Sequence, residues 1–399
     1  MPQYVFNARR PSERYHKSDL GFLVATILLW GMGLFTIFVC SQSYATRFFD
    51  GNAFHFVERQ LICSGVGLVL FFVLFFLDME TIKKLVPFLV LLTLILCLLT
   101  FIKPLSVEKN GARRWIKLPA KFTFQPSELV KFTIVLYLAE YFSHQAEIPD
   151  IKDRNYLRSV LVFGLMVVLV LSQKDFSTSL FIMIIGILLY IVSGAKIKWL
   201  IPFFLIAIPV AILVVVTEKY RLERILGFLK PEEGAQTFNY QANAAKETIA
   251  NGGLFGQGIG RGLSKLNSIP EVQADYIFAG WCEAMGYFGV IVYFIMLGFF
   301  AWRGYRTAFK CPDRFAAIAS FGCVSVITLQ SLLNSMVVAG VLPSTGIPLP
   351  FFSVGGSSII VTLAMCGFIL NASRCEEPVK DNGGYEDVNI DTITILQKN

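Results

Sequence analysis

Apolar residues run along this chain in long blocks, near 20–40, 60–77, 85–102, 128–142, 158–172, 176–194, 198–217, 275–301, 315–339 and 355–371. Each approaches the ~20 helical residues needed to cross a hydrocarbon core of ~30 Å. Backbone polar groups inside lipid must be satisfied within the chain, which leaves helices and closed barrels as spanning structures. The pattern therefore predicts an all-α polytopic membrane protein with about ten transmembrane helices. The first block is too long for a signal-peptide core, and no small-residue cleavage site closes it. It reads as a retained span.

Most connections between blocks are short. Two are not: 103–127 and 218–274. The implied organisation is a cytoplasmic segment 1–19, a single membrane domain 20–373 and a polar tail 374–399 expected to be disordered. Residues 218–274 form a large extracytoplasmic loop between the seventh and eighth spans. No internal repeat of the kind many transporters carry is visible. Lys83 and Lys84, then Lys152, Arg154 and Arg158, then Lys196 and Lys198, then Arg303, Arg306, Lys310 and Arg314 fall on alternate connections. With the basic N-terminus they share one side, which the positive-inside tendency makes cytoplasmic. Both termini are then cytoplasmic, as an even number of spans requires.

Composition agrees: 55% of residues are hydrophobic and 16% charged, too few charges to cover a soluble chain of 399 residues. The eight cysteines show no metal-ligand spacing and read as small buried hydrophobes. Charge changes the picture at one place. Lys103, Lys109, Arg113, Arg114, Lys117 and Lys121 crowd the connection 103–127, the shorter of the two long ones and assigned to the outside, against the usual bias. Cations held there suit an anionic partner such as phosphate, pyrophosphate or lipid headgroups. No nucleic-acid partner is expected.

Four stretches could carry chemistry. Gln125-Pro126-Ser127-Glu128-Leu129-Val130-Lys131 opens a span, with Ser127 as the expected helix cap and Glu128 and Lys131 on one helical face. Ionised groups in a span pair or line a polar cavity. Gln173-Lys174-Asp175-Phe176-Ser177-Thr178 reads as a tight outer turn. Asn251 to Gly260 is glycine-rich, which permits positive φ and close approach to a ligand. Lys265, Pro270, Glu271, Gln273 and Asp275 follow it, and Asp275 stands where an apolar run begins. The helix macrodipole favours its anion and desolvation opposes it, a competition that suits a general base. Glu271 and Glu283 would share its face if the helix extends back to Glu271. Last, the prolines and glycines from Asn334 to Ser358 cannot continue a regular helix, so this backbone must be buried or line a cavity.

In this order the stretches resemble the SEDS family, which includes the division protein FtsW and the elongation protein RodA. Asn110 to Ile116 is similar to that family's Gly-Ser/Ala-Arg-Arg-Trp-Ile segment, and Gln125 to Lys131 to its Gln-Pro-Ser-Glu-Leu-x-Lys. Pro270 to Ala279 is similar to its Pro-Glu-x-x-Thr-Asp-Phe-Ile-Phe-Ala. Thr345 to Ser358 is similar to its Thr-Gly-Ile-Pro-Leu-Pro-Phe-x-Ser-Tyr-Gly-Gly-Ser-Ser. Lys174, Ser177, Ala274, Tyr276 and Val354 depart from the pattern without removing a carboxylate or a basic group.

The resemblance implies a peptidoglycan glycosyltransferase of the bacterial cytoplasmic membrane that polymerises lipid II at its outer face. The family's catalytic aspartate maps onto Asp275. Arg113, Arg114, Lys121 and Lys265 become candidates to stabilise the leaving pyrophosphate, with or without a divalent cation such as Mg or Mn. Glu128, Lys131 and Asp175 would shape the polar end of a lipid-accessible cavity. Glu271, Gln273, Ser353 and Ser358, within the matched motifs, join the substrate-binding set. Gly256 to Gly260 with Ser264-Lys265-Leu266 looks more like the division-type member, which implies a class B penicillin-binding transpeptidase and other division membrane proteins as partners. The elongation type, a lipid II flippase and a non-catalytic division scaffold are the rival readings.

Overall fold

The computed structural model describes residues 17–109, 111–119, 122–148, 156–195, 197–201, 240–258 and 273–375, with isolated positions between 204 and 228. Helices α1 (Leu20–Phe48), α2 (His55–Phe76) and α3 (Met79–Leu99) precede a small sheet. Then come α4 (Pro126–Glu147), α5 (Leu157–Ser172), α6 (Phe176–Val192) and a 3-10 turn at Ile197–Leu200. Helices α7 (Tyr240–Asn251), α8 (Ile277–Lys310), α9 (Arg314–Val338) and α10 (Gly356–Ala372) complete the described chain. Nine of the ten expected spans are present as helices; most of the seventh, 198–217, lies outside the described residues. Five (α1, α2, α3, α8 and α9) are long and apolar enough to cross a membrane by themselves. Helices α5, α6 and α10 are shorter apolar helices. The protein is an all-α, multi-pass membrane protein.

Helix α4 explains how a span can carry charge. It contacts α3, α5, α6, α9 and α10, and most of its side chains are enclosed. Helices α2 and α3 instead expose Phe72, Phe76, Phe88 and Leu91, the apolar surface a bilayer would cover. Helix α2 runs close along α10 because a glycine on each, Gly67 and Gly367, lets the other helix approach. A Cβ added at Gly367 would strike the backbone of Phe71.

Two features go beyond what hydropathy predicts. Within 103–127 the chain forms an antiparallel sheet, β1 (Ser106–Lys109), β2 (Ala112–Lys117) and β3 (Thr123–Phe124), ordered β1-β2-β3. Glu108 lies opposite Arg113 and Ile116 opposite Phe124. The second is a splint across α8, which is broken at Gly286 (φ 64°, ψ −164°). The glycine-rich stretch after α7 inserts its backbone there. Gln257 and Gly258 donate to the carbonyls of Glu283 and Ala284 at 2.8 and 3.2 Å. Tyr287 and Phe288 donate to the carbonyls of Gly253 and Leu254 at 2.9 and 3.1 Å. These bonds replace helical ones that the break removes. The expectation that these glycines approach a ligand is corrected for 252–258: they approach α8, and a Cβ at Gly256 (φ 79°) would collide with the Ala284 carbonyl. All eight cysteines are free and buried.

Candidate functional site

The site is built where α4, α9 and the loop 339–355 meet the segment 273–276. Helix α4 begins differently from the expectation. Gln125 is its N-cap and Pro126 its first residue, so Ser127 sits inside the first turn. Its hydroxyl is directed sideways to Asp175 Oδ2 at 3.3 Å, and Gln125 Nε2 donates to the same oxygen at 3.1 Å. Asp175 is buried at the start of α6, and Arg114 of β2 approaches its Oδ1 at 3.7 Å. Arg114 also donates to the carbonyl of Lys174 at 2.5 Å, and Lys174 holds φ 62° to present it. Alternation along β2 turns Arg113 away: it pairs across the hairpin with Glu108 at 3.0 Å. Of the two adjacent arginines, only Arg114 joins the cluster.

From the same first turn of α4, Glu128 pairs with Lys131 at 2.8 Å, both side chains almost fully enclosed. Lys131 Nζ also donates to Gln330 Oε1 at 2.6 Å. Gln330 Nε2 passes the connection to the carbonyl of Pro348 at 2.8 Å. Four residues on, hence on the same face of α9, Asn334 Nδ2 donates to the carbonyls of Ile347 and Asp275, both at 2.9 Å. A hydrogen-bonded ladder thus runs from the α4 ion pair to the backbone of Asp275.

The loop is fixed from its other side by Ser353. Its hydroxyl donates to the Ala274 carbonyl at 2.5 Å and accepts from Leu349 N at 2.8 Å. Val354 N donates to the carbonyl of Gln273 at 2.9 Å. Gln60 of α2 donates to the Ser353 carbonyl at 3.3 Å. Phe351 is held at φ 66°, strained for a bulky residue, inside buried surroundings. The segment bearing Asp275 is therefore clamped by three consecutive carbonyls, those of residues 273, 274 and 275. The Asp275 side chain itself is half-buried, and its Oδ2 lies over Gly346 (φ 73°), 3.4 Å from where a Cβ would sit.

Asp275 is not part of α8. The helix starts at Ile277 with Tyr276 as N-cap, so it does not extend back through Asp275. Glu283 is fully buried beside the break in α8. Ser358 is buried in the first turn of α10, and its neighbour Ser357 accepts from Gln125 N at 2.7 Å. Gln273 is buried and tied in through its carbonyl. Lys121, Lys265 and Glu271 lie outside the described residues. For the divalent cation, among the described residues no three His, Cys, Asp or Glu side chains stand together as a metal-holding group. The residues that sequence reasoning did not single out are Gln60, Gln330 and Asn334. Their signal was available: three amides within apolar helices, two of them four apart.

Comparison with known proteins gives consistent results. Residues 21–377 match the family described as cell cycle protein, FtsW/RodA/SpoVE. A probable peptidoglycan glycosyltransferase FtsW from Geobacter sp. (strain M18) is 33% identical over 358 residues, covering 89% of this chain and 96% of the relative. Stage V sporulation protein E of Bacillus subtilis (strain 168) is 31% identical, covering 89% of this chain and 97% of that protein. Among solved structures, a chain of a peptidoglycan synthase complex that coordinates polymerization and crosslinking superposes with a TM-score of 0.73 at 27% identity. It covers 90% of this chain and 98% of that one. The Thermus thermophilus rod shape determining protein RodA gives a TM-score of 0.64 at 26% identity, covering 90% and 97%.

Proposed function

The chain belongs to the FtsW/RodA/SpoVE family of cell cycle proteins, and from that membership we propose that it is a peptidoglycan glycosyltransferase polymerising lipid II at the outer face of the bacterial cytoplasmic membrane. The observation that carries the reading is the placement of the Asp275 carboxylate. It is half-buried, over a glycine, on backbone clamped from two sides by Asn334 and Ser353. A general base needs this kind of fixed position near its substrate.

In the proposed reaction, Asp275 accepts the proton of the GlcNAc 4-hydroxyl of one lipid-linked disaccharide. That oxygen attacks the anomeric carbon of MurNAc on the other. The bond to undecaprenyl pyrophosphate breaks, the pyrophosphate carries away the electron pair, and the α-linked donor becomes a β-1,4 linkage by inversion. Charge developing on the pyrophosphate requires preorganised cations. Arg114, held at Asp175 beside the start of α4, is the described candidate, with Lys121 and Lys265 as further ones. Glu128 and Lys131 act through the ladder that supports the loop beneath Asp275.

The likeness to a complex that both polymerizes and crosslinks supports a penicillin-binding transpeptidase as partner. We assign the division-type role, cytoplasmic termini and an outward-facing Asp275 on the motif and charge patterns above. The test is purified protein with its transpeptidase partner in liposomes loaded with lipid II. Glycan polymer from the native complex, absent with Asp275→Ala, is the expected outcome. Lipid II crossing the bilayer with no polymer formed would replace the enzyme by a flippase.

A further inference from the structure

At the end of the bundle opposite Asp275, the start of α1 and the ends of α8 and α10 border an open hollow of about 320 Å³. That volume lies at the lower end of the ~300–1,000 Å³ typical of ligand pockets. We propose that this hollow binds the phosphate of an anionic glycerophospholipid.

Its charge is lopsided by construction. Among the described residues, Lys17, Arg303, Arg306 and Lys310 line it, against the single carboxylate of Asp19. That carboxylate is already committed. Asp19 Oδ1 accepts from Arg303 Nη2 at 2.6 Å, from Arg303 Nε at 3.0 Å and from Phe22 N at 2.8 Å. Arg303 is thereby neutralised and the wall made rigid, a rigidity extended by Asp19 N donating to Ser373 Oγ at 2.9 Å. Three cations remain, Lys17, Arg306 and Lys310, with no ion pair formed among the described residues. The helix ends do not cancel them: roughly +0.5 charge at the start of α1 and −0.5 at each end of α8 and α10 leave the cations dominant. Residues 303, 306, 307 and 310 follow helical spacing, so one face of the last turns of α8 supplies three of the four lining cations.

The surroundings are amphiphilic, which favours a lipid over a free anion. Trp302 is more than half exposed and lies beneath the guanidinium groups of both Arg303 and Arg306, at 5.5 and 5.9 Å. Exposed tryptophan with cations at a span end marks headgroup depth. Leu20, 69% exposed, borders the hollow with apolar surface for an acyl chain. A phosphate diester seated among Arg306, Lys310 and Lys17, with its chains along α1, satisfies both halves of this geometry. The site is independent of the glycosyltransferase reading.

The experiment is native mass spectrometry and thermal unfolding of the full-length protein in detergent, titrated separately with dioleoylphosphatidylglycerol, dioleoylphosphatidylcholine and inorganic phosphate. Phosphatidylglycerol is expected to bind and stabilise saturably, and phosphatidylcholine not. The double variant Arg306→Gln/Lys310→Gln should weaken phosphatidylglycerol by about 30-fold, as loss of two headgroup-level cations implies. Ser18→Trp should block the hollow while keeping every cation, and it carries the test if the charge variant does not fold. Equal stabilisation by inorganic phosphate would assign the hollow to a soluble phosphate and overturn the lipid. Equal binding of phosphatidylcholine, or a native response in Ser18→Trp, would overturn the site.

Discussion

The side-chain amide of Asn334 holds the backbone carbonyl of Asp275 at 2.9 Å, while the same nitrogen holds the carbonyl of Ile347 at 2.9 Å. One amide group on α9 thus sets the distance between the segment that carries the carboxylate and the loop it rests on. A half-buried base on an irregular segment has no regular secondary structure to fix it, so its geometry depends on such contacts.

Asn334→Leu keeps the volume and removes both donors. A misplacement of about 1 Å at a reacting group can cost 10²-fold in rate, so turnover should drop by roughly one to two orders of magnitude. The Michaelis constant for lipid II should change little. Steady-state polymerisation by folded, partner-bound variant checks it, and a parallel loss of lipid II binding would point to a general structural role.

Lys131→Met removes one member of a buried ion pair and leaves Glu128 enclosed and uncompensated. Breaking such a pair costs about 3–5 kcal/mol. The thermal unfolding midpoint in detergent should drop markedly. The double variant Glu128→Leu/Lys131→Met should recover much of the stability, yet stay slow in polymerisation, since Gln330 loses the donor at its Oε1.

Ser353→Ala leaves the Ala274 carbonyl and the Leu349 amide without their shared hydroxyl. Each unsatisfied buried group costs about 1–3 kcal/mol. We expect destabilisation of that order together with reduced polymerisation. Ser353→Thr should retain part of both, because it keeps the hydroxyl.

Gly346→Ala forces a side chain to φ 73°, with its Cβ in van der Waals contact with Asp275 Oδ2 at 3.4 Å. The backbone cost is on the order of 1 kcal/mol. The fold should survive while the strained backbone at 346 shifts the loop on which the carboxylate rests. A near-native unfolding midpoint with a polymerisation rate lower by about an order of magnitude is the expected pair of results.

The spans are legible in sequence because hydropathy reports a simple physical requirement, apolar length against bilayer thickness. Glu128 and Lys131 are legible for a similar reason, since two charges three apart in a span have to meet. The sheet at 106–124 is harder to see. Asn110-Gly111 is a strong hairpin signal, but the cations around it obscure the apolar alternation that would mark its strands. Arg113 and Arg114 look equivalent in sequence and are separated by the pleat of β2. Ser127 looks like a cap, and its tertiary partner Asp175 turns it aside. The ladder through Gln330 and Asn334 is least legible. Its meaning lies in carbonyls from loops distant along the chain, which no local pattern encodes. The glycines at 252–258 suggest a ligand because their true partner, a break in α8 at Gly286, becomes apparent only in three dimensions.

The role of Asp275 is tested most sharply by the single-turnover rate of glycan bond formation in Asp275→Asn, a nearly isosteric change that removes the base and keeps the side-chain volume. With lipid II binding and partner association intact, the rate should fall by about 10²- to 10⁴-fold, the usual contribution of a positioned general base. Polymerisation by that variant at the native rate would contradict the assignment of Asp275.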